Sequence, residues 1–347
     1  MNEQPNGCKC TGAQACAPSV GFRKKGDAVP EAVSVGTKAL GRGKTALVTG
    51  GGGFIGQSLL PQLVEAGWQV RNLDFIPGTF QHPAVTHWQG SFTNNDLLHE
   101  SMTGVDCILH LASTHFPREA NAHPGADATS GILGVIAMAQ MAEDRQVGRI
   151  VFASSGGTVY GAPETVPILE SHPTRPITAY GISKLAAEHY LRFFDRGQLR
   201  TLSLRIANPY GPGQNIRKAQ GALTTFCHHA AKGLPIEIWG DGSVERDFIH
   251  VDDVARALVA AAQTDAHGTE INIGSGQGLS LNRLLDLIRA NGFDPQVTYM
   301  PPRSFDVQRS VLSIDRARSL LNWAPQMGVE AGIAQMLHAF SQDEVSR

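Results

Sequence analysis

Tyr180 and Lys184 stand four residues apart in the run Tyr180-Gly181-Ile182-Ser183-Lys184, which opens a helical pattern continuing to about Phe194. Four residues is close to one helical turn, so the phenol and the ammonium project from the same face. Such a pair suits acid–base chemistry. A tyrosine acting as a general base near neutral pH must fall about three units from its usual ~10, roughly 4 kcal/mol. One ammonium a few ångström away, at an effective dielectric of about 20, supplies a contribution of that size. The spacing alone arises often by chance, so its weight depends on what surrounds it.

What precedes it is a glycine loop, Gly50-Gly51-Gly52-Gly53-Phe54-Ile55-Gly56, lying between a short apolar strand (Thr45–Gly50) and a helix (Phe54–Ala66). Read as GxxGxxG, it uses Gly50, Gly53 and Gly56. Glycine permits the tight turn and puts no Cβ between the backbone and a pyrophosphate, while the helix start offers free N–H groups. Asp74 ends the next strand, 18 residues past Gly56. A carboxylate there accepts adenosine ribose hydroxyls and repels a 2′-phosphate. The residues after it, Phe75, Ile76 and Pro77, are not basic. NAD is therefore expected rather than NADP, and its oxidised ring adds a second positive charge beside Tyr180.

The elements that must hold these groups alternate. After the first strand come Gln69–Asp74, Cys107–Ala112, Arg149–Ser154 and Thr201–Asn208, with helices over about 130–145 and 180–194. That rhythm predicts an α/β fold, a doubly wound parallel Rossmann sheet covered on both faces. Beyond Asn208 short strands (236–239, 270–273, 297–299) mix with helices (220–231, 252–263, 280–290, 315–321), predicting a smaller C-terminal α/β substrate lobe. The organisation is thus a disordered tail (1–43), a dinucleotide domain (44–208) and mainly a substrate lobe (209–347). The tail carries seven glycines, one aromatic and no apolar period, too little to offset the entropy of ordering it.

Composition is ordinary and globular, with 42% hydrophobic and 17% charged residues and a net charge of −2. Neither a nucleic-acid groove nor a membrane partner is expected, and no apolar run approaches the roughly 20 residues of a span. With no apolar leader at the N-terminus, the expected location is the cytoplasm. Cys8, Cys10 and Cys16 have no fourth metal ligand nearby and read as tail thiols; Cys107 and Cys227 read as small buried hydrophobes. No metal is expected.

Four motifs occur in order: the glycine loop, Ser154-Ser155-Gly156-Gly157-Thr158-Val159-Tyr160-Gly161, the Tyr180/Lys184 pair, and Arg246-Asp247-Phe248-Ile249-His250-Val251-Asp252-Asp253. Together they resemble the extended short-chain dehydrogenase/reductases, the NAD-dependent epimerase/dehydratase family, over roughly residues 44–340, and within it the UDP-glucose (UDP-galactose) 4-epimerase-like branch. The resemblance implies an isomerase that oxidises and re-reduces C4 of a UDP-sugar through a 4-keto intermediate. Tyr180 would be the acid–base group and Lys184 its partner. It implies cofactor contacts from Gly50, Gly53, Phe54, Ile55, Gly56, Asp74, Leu111, Ala112, Ser154, Tyr180 and Lys184. Substrate contacts would come from Asn208, Leu223, Arg246, Arg303, Asp306 and Ser310, the last a small residue where bulk would limit the C2 substituent. It also implies a homodimer joined through the helices near 130–145 and 180–195.

In the branches that dehydrate or decarboxylate, carboxylates stand where this chain has Gly157 and Thr158, so those reactions lack their proton carrier. The hydroxyl that usually assists the tyrosine falls at Gly156. Thr158 is the expected substitute catalytic hydroxyl and Ser155 the second choice. Two other readings stay open: a nucleotide-sugar reductase or dehydrogenase that releases oxidised cofactor each turnover, and a non-catalytic NAD-sensing regulator.

Overall fold

A computed structural model of the chain describes residues 43–76, 78–216, 221–302 and 307–342. The tail expected to be disordered, with Cys8, Cys10 and Cys16, lies outside them. The strands are β1 (Thr45–Thr49), β2 (Gln69–Asp74), β3 (Val85–Gln89), β4 (Cys107–His110), β5 (Arg149–Ser155), β6 (Arg200–Ile206), β7 (Asn208–Tyr210), β8 (Ile236–Trp239), β9 (Glu245–His250), β10 (Thr269–Ile273), β11 (Gly278–Ser280), β12 (Val297–Met300) and β13 (Arg309–Ser310). The helices are α1 (Phe54–Glu65), α2 (Asn95–Ser101), α3 (Pro117–Ala122), α4 (Pro124–Ala128), α5 (Gly134–Asp144), α6 (Ala179–Phe194), α7 (Ala222–Ala231), α8 (Val251–Gln263), α9 (Leu281–Ala290), α10 (Asp315–Leu321) and α11 (Val329–Gln342), with a π-turn over Thr129–Leu133 joining α4 to α5.

Seven strands form one parallel sheet in the order β10-β6-β5-β4-β1-β2-β3. Its inner strands are continuous apolar runs because both faces are covered. Along β1, Ala46 and Val48 face the layer holding α1 and α8, whereas Leu47 faces the layer holding α5 and α6. The strand order reverses between β1 and β4, which opens the crevice where such sheets bind ligands. β10, expected in the smaller lobe, is instead an edge strand of this sheet, in register with β6. The smaller part gathers β7, β9, β11 and β13 into one sheet and β8 with β12 into another, over a core built on Leu223, Phe226, Ile238, Phe248 and Ile288. Cys107 and Cys227 are both buried, as their apolar surroundings require. No helix among the described residues is long and apolar enough to cross a membrane.

α6 is fastened to the sheet by charge. Glu188 and Arg205 pair at 2.7 Å with side chains 1% and 5% exposed. Glu188 also accepts from the Ser154 hydroxyl, and Arg205 donates to the Tyr160 oxygen at 3.0 Å. Tyr160 in turn donates to Asn272 of β10 at 2.7 Å. Removing one partner of such a pair strands a buried charge, whereas removing both does not. Glu188→Leu should therefore cost about 3–5 kcal/mol of unfolding free energy in denaturant titration. The double variant Glu188→Leu/Arg205→Met should cost clearly less than the single one.

Candidate active site

β1 runs into Gly50, whose φ of +82° suits glycine. A Cβ there would lie 2.7 Å from the Ala112 nitrogen, so the loop after β4 presses on the turn. Leu111 donates to the Thr49 carbonyl at 3.0 Å, and Gly50 donates to that of Leu73 at 2.9 Å. The structure thus brings Leu111 and Ala112 to the turn at the switch point. Gly56 packs its α-carbon on Gly51, and side chains at Gly51 and Gly52 would overlap Asn72 and the Ile76 carbonyl. All five glycines are used, two more than the GxxGxxG reading needs.

Gly53 caps α1 in extended conformation, and no side chain caps the helix. The N–H groups of Phe54, Ile55 and Gly56 have no partner within the helix, and a Cβ on Gly53 would meet only the Gly50 carbonyl, at 3.2 Å. This is an open cradle of donors at the positive end of a helix, and a pyrophosphate fits it. Asp74 accepts from the Gly52 nitrogen at 2.9 Å and from the Ile76 nitrogen at 3.2 Å. It pins the loop and keeps lone pairs for ribose hydroxyls.

α6 starts at Thr178, whose hydroxyl accepts from the Gly181 nitrogen at 3.1 Å. Tyr180 is half-buried and Lys184 buried. The Lys184 ammonium donates to the Ala153 carbonyl at 2.9 Å and lies 5.5 Å from the Tyr180 ring centre and 4.6 Å from that of Phe152. Burial pulls Lys184 down to about 8, against the pull of Asp127 and Glu188. Tyr180 goes the other way: burial and then the Asp127 carboxylate push its phenol up. The lowering expected from Lys184 together with the oxidised cofactor's ring works against burial and the Asp127 carboxylate, and the ammonium itself donates to a backbone carbonyl. The remaining positive charge must arrive with the oxidised cofactor.

Behind the pair is a cavity of about 20 Å³ lined by His110, Asp127, Ser130, Phe152, Tyr180 and Lys184 among others. That is room for one water. His110 shares a hydrogen bond with Thr49 at 2.6 Å and is drawn down to about 3 by burial and by Lys184, so it is neutral. Asp127 and His110 escaped sequence reading. Neither belongs to a contiguous motif, and only the packing of α4 and β4 against α6 brings them in.

The hydroxyls separate clearly. The Ser154 hydroxyl donates to Glu188 beneath the strand end. At Gly156 a Cβ would lie 2.6 Å from the Leu312 methyl and 2.9 Å from the Arg205 carbonyl, so no hydroxyl can stand there. Thr158 adjoins the start of α6: its carbonyl would lie 2.8 Å from a Cβ on Gly181. The Thr158 hydroxyl is buried and has no partner among the described residues. Ser155 is half-buried, with its backbone carbonyl holding the Val159 nitrogen at 3.1 Å.

Three of the residues expected at the substrate, Asn208, Arg246 and Ser310, lie on the second sheet. Ser310 of β13 stands in register with Arg246 of β9, and Asn208 with Phe248. Arg246 donates to the Val307 carbonyl at 2.6 Å, and Asn208 donates to that of Asp247 at 2.9 Å. Leu223 is fully buried in the lobe's core, so its side chain packs rather than binds. Arg303 and Asp306 lie outside the described residues. Since backbone occupies the space at Gly156, Gly156→Ser should lower stability by about 1–3 kcal/mol in denaturant titration.

Comparison with known proteins agrees with this geometry. The sequence profile of the NAD dependent epimerase/dehydratase family matches residues 46–274. The chain is 34% identical to the UDP-glucose 4-epimerase of Mycolicibacterium smegmatis, over 85% of this chain and 97% of that one. It is 30% identical to a dTDP-4-dehydro-6-deoxyglucose reductase of Escherichia coli, over 84% and 96%. Among solved structures, the UDP-glucose 4-epimerase of Thermotoga maritima with UDP-glucose superposes with a TM-score of 0.81 at 31% identity, covering 86% of this chain and 99% of that one. A glycine cradle with its acid, a Tyr–Lys helix and a profile spanning both make NAD the cofactor, and the chain belongs to the NAD-dependent epimerase/dehydratase family.

Proposed function

We propose that this protein is a nucleotide-sugar 4-epimerase acting on UDP-glucose and UDP-galactose, or on their N-acetylated equivalents, through a transient 4-keto sugar. The observation that carries the reading is what surrounds Tyr180. Where the dehydrating and decarboxylating branches carry carboxylates this chain has Gly157 and Thr158, the latter beside the start of α6, and neither supplies the proton that elimination or decarboxylation needs. Among the described residues, Asp127 is the acid that lines the cavity with Tyr180; it is 3% exposed, and the cavity is sized for water rather than a sugar. Reversible oxidation at a hydroxyl is the chemistry these residues can serve.

Bound NAD supplies the two-electron acceptor and donor for C4. Tyr180 takes the 4-hydroxyl proton and, once the 4-keto sugar has turned its other face to the cofactor, returns it to the same oxygen, so that C4 is inverted. Thr158 bonds the same sugar oxygen, which explains a buried hydroxyl without a protein partner. Lys184 holds positive charge beside the phenol and bonds the nicotinamide ribose. Arg246 grips the diphosphate, Asn208 holds the substrate at the strand end, and the small Ser310 leaves room at C2. Arg303 and Asp306 complete the nucleotide contacts. The reductase reading draws support from the Escherichia coli relative.

Incubation with UDP-glucose and with UDP-N-acetylglucosamine, followed by chromatography of the sugars, should give the 4-epimers with no net change in nicotinamide absorbance. Steady cofactor oxidation with a keto-sugar, and no epimer, would establish the reductase instead. Tyr180→Phe should lower turnover by about 10²–10⁴-fold with the fold intact by circular dichroism. Thr158→Val removes a hydroxyl without a protein partner, so stability should hold within about 0.5 kcal/mol while turnover drops about tenfold. Lys184 loses its charge as pH rises through about 8, so turnover should fall across that interval.

A further inference from the structure

Asp127 is an acid the proposed reaction does not use. It is buried at 3% exposure, and its Oδ2 has no hydrogen-bond partner among the described residues. An unpaired carboxylate in the interior costs more than almost any other polar group. It lines the water-sized cavity together with Tyr180 and Lys184. The chain beside it also departs from regular helix: α4 passes into the π-turn Thr129–Leu133, whose Ser130 and Gly131 form the next part of the same wall. Such one-turn widenings gather at functional sites. We propose that Asp127 is a positioning residue: across the single water the cavity admits, its carboxylate holds Lys184 as ammonium and keeps Tyr180 protonated, setting the charge balance of the pair. The inference rests on the acid–base role given to Tyr180 and Lys184 above.

Among the other charges Glu188 acts on Lys184 in the same direction, more weakly than Asp127. From β4 the cavity receives His110, which is neutral and held by Thr49. From α6 it receives Tyr180 and Lys184 themselves, and Glu188 one turn on is committed to Arg205 and Ser154. On the side of α3, Arg118, Glu119 and His123 are all exposed, and His115 shares a hydrogen bond with Thr114 at 3.0 Å. Burial drives Lys184 toward its neutral form, and Asp127 is the largest influence opposing it; the same carboxylate raises the phenol. Its charge thus acts on both members in one direction, favouring the proton-bearing form of each.

The test follows from that common sign. Asp127→Asn removes the charge at nearly constant volume, so both apparent limbs of the turnover pH profile should move to lower pH by about one unit. Asp127→Glu keeps the charge and should keep the limbs. Limbs that stay put in Asp127→Asn, or that move equally in Asp127→Glu, overturn the proposal. A second measurement needs no turnover: the Lys184 titration is followed on the full chain by NMR of ¹³Cε-lysine, assigned with Lys184→Arg. It should lie near 8 in the wild type and about one unit lower in Asp127→Asn. An unchanged titration overturns the role of Asp127. If Asp127→Asn fails to fold, Asp127→Ser replaces it in both measurements. If the titration shifts but no nucleotide sugar is epimerised, the role of Asp127 stands and the proposed substrate reaction falls.

Discussion

The buried pair between Glu188 and Arg205 decides where the chemistry can occur. Tyr180, Lys184 and Glu188 repeat every four residues along α6, so they share one face. On an ordinary amphipathic helix that face would be apolar. Here Lys184 and Glu188 interrupt the apolar contacts of Ala187, Leu191 and Phe194 and meet polar partners on the sheet: the Ala153 carbonyl and Ser154 of β5 and Arg205 of β6. Apolar contacts tolerate a sliding helix, but charge pairs in the interior do not, because displacement leaves an uncompensated ion. The pair therefore fixes rotation and register of α6 together, and the phenol inherits its position from a carboxylate two turns away.

The ionic content around α6 is balanced. Lys184 and Arg205 bring two positive charges, and Glu188 and Asp127 two negative ones, with His110 kept neutral by burial. Glu188 and Arg205 neutralise each other through direct contact. Lys184, one turn before Glu188 on α6, lines a small cavity together with Asp127.

Much of this was legible in the sequence, and the boundary is physical. The glycine loop, Asp74, the Tyr–Lys spacing and the inner strands each lie within one contiguous stretch, where local geometry alone gives the reading. β3, with the sequence VTHWQ, was not legible because an edge strand alternates weakly and carries no continuous apolar run. β10 looked like part of the smaller lobe because a short apolar strand bears no mark of the sheet it will join. Asp127 and His110 were invisible for a related reason, since only tertiary packing sets them beside Tyr180. Leu223, named through the resemblance, has its side chain fully buried, which leaves only its backbone to a ligand.

Gly156 joins the two parts of the molecule. Sequence comparison with the family makes it a missing hydroxyl, but the structure makes it a contact. Leu312 fills the space a side chain would need, and the segment carrying Leu312 is held by Ile168, which donates to the Val311 carbonyl at 2.8 Å and accepts from the Ser313 nitrogen at 2.9 Å. The buried Asp247 accepts from the Leu312 nitrogen at 3.2 Å and from the Ser275 nitrogen at 2.7 Å, tying the same segment to β9. Two residues before Leu312 lies Ser310, in register with Arg246. Close approach at Gly156 therefore seats the strand that carries Ser310. A serine at 156 would push that strand outward, because the Leu312 methyl and the Arg205 carbonyl occupy the space of its Cβ. The nearest hydroxyl further along, that of Thr158, is buried beside the start of α6 and has no partner among the described residues.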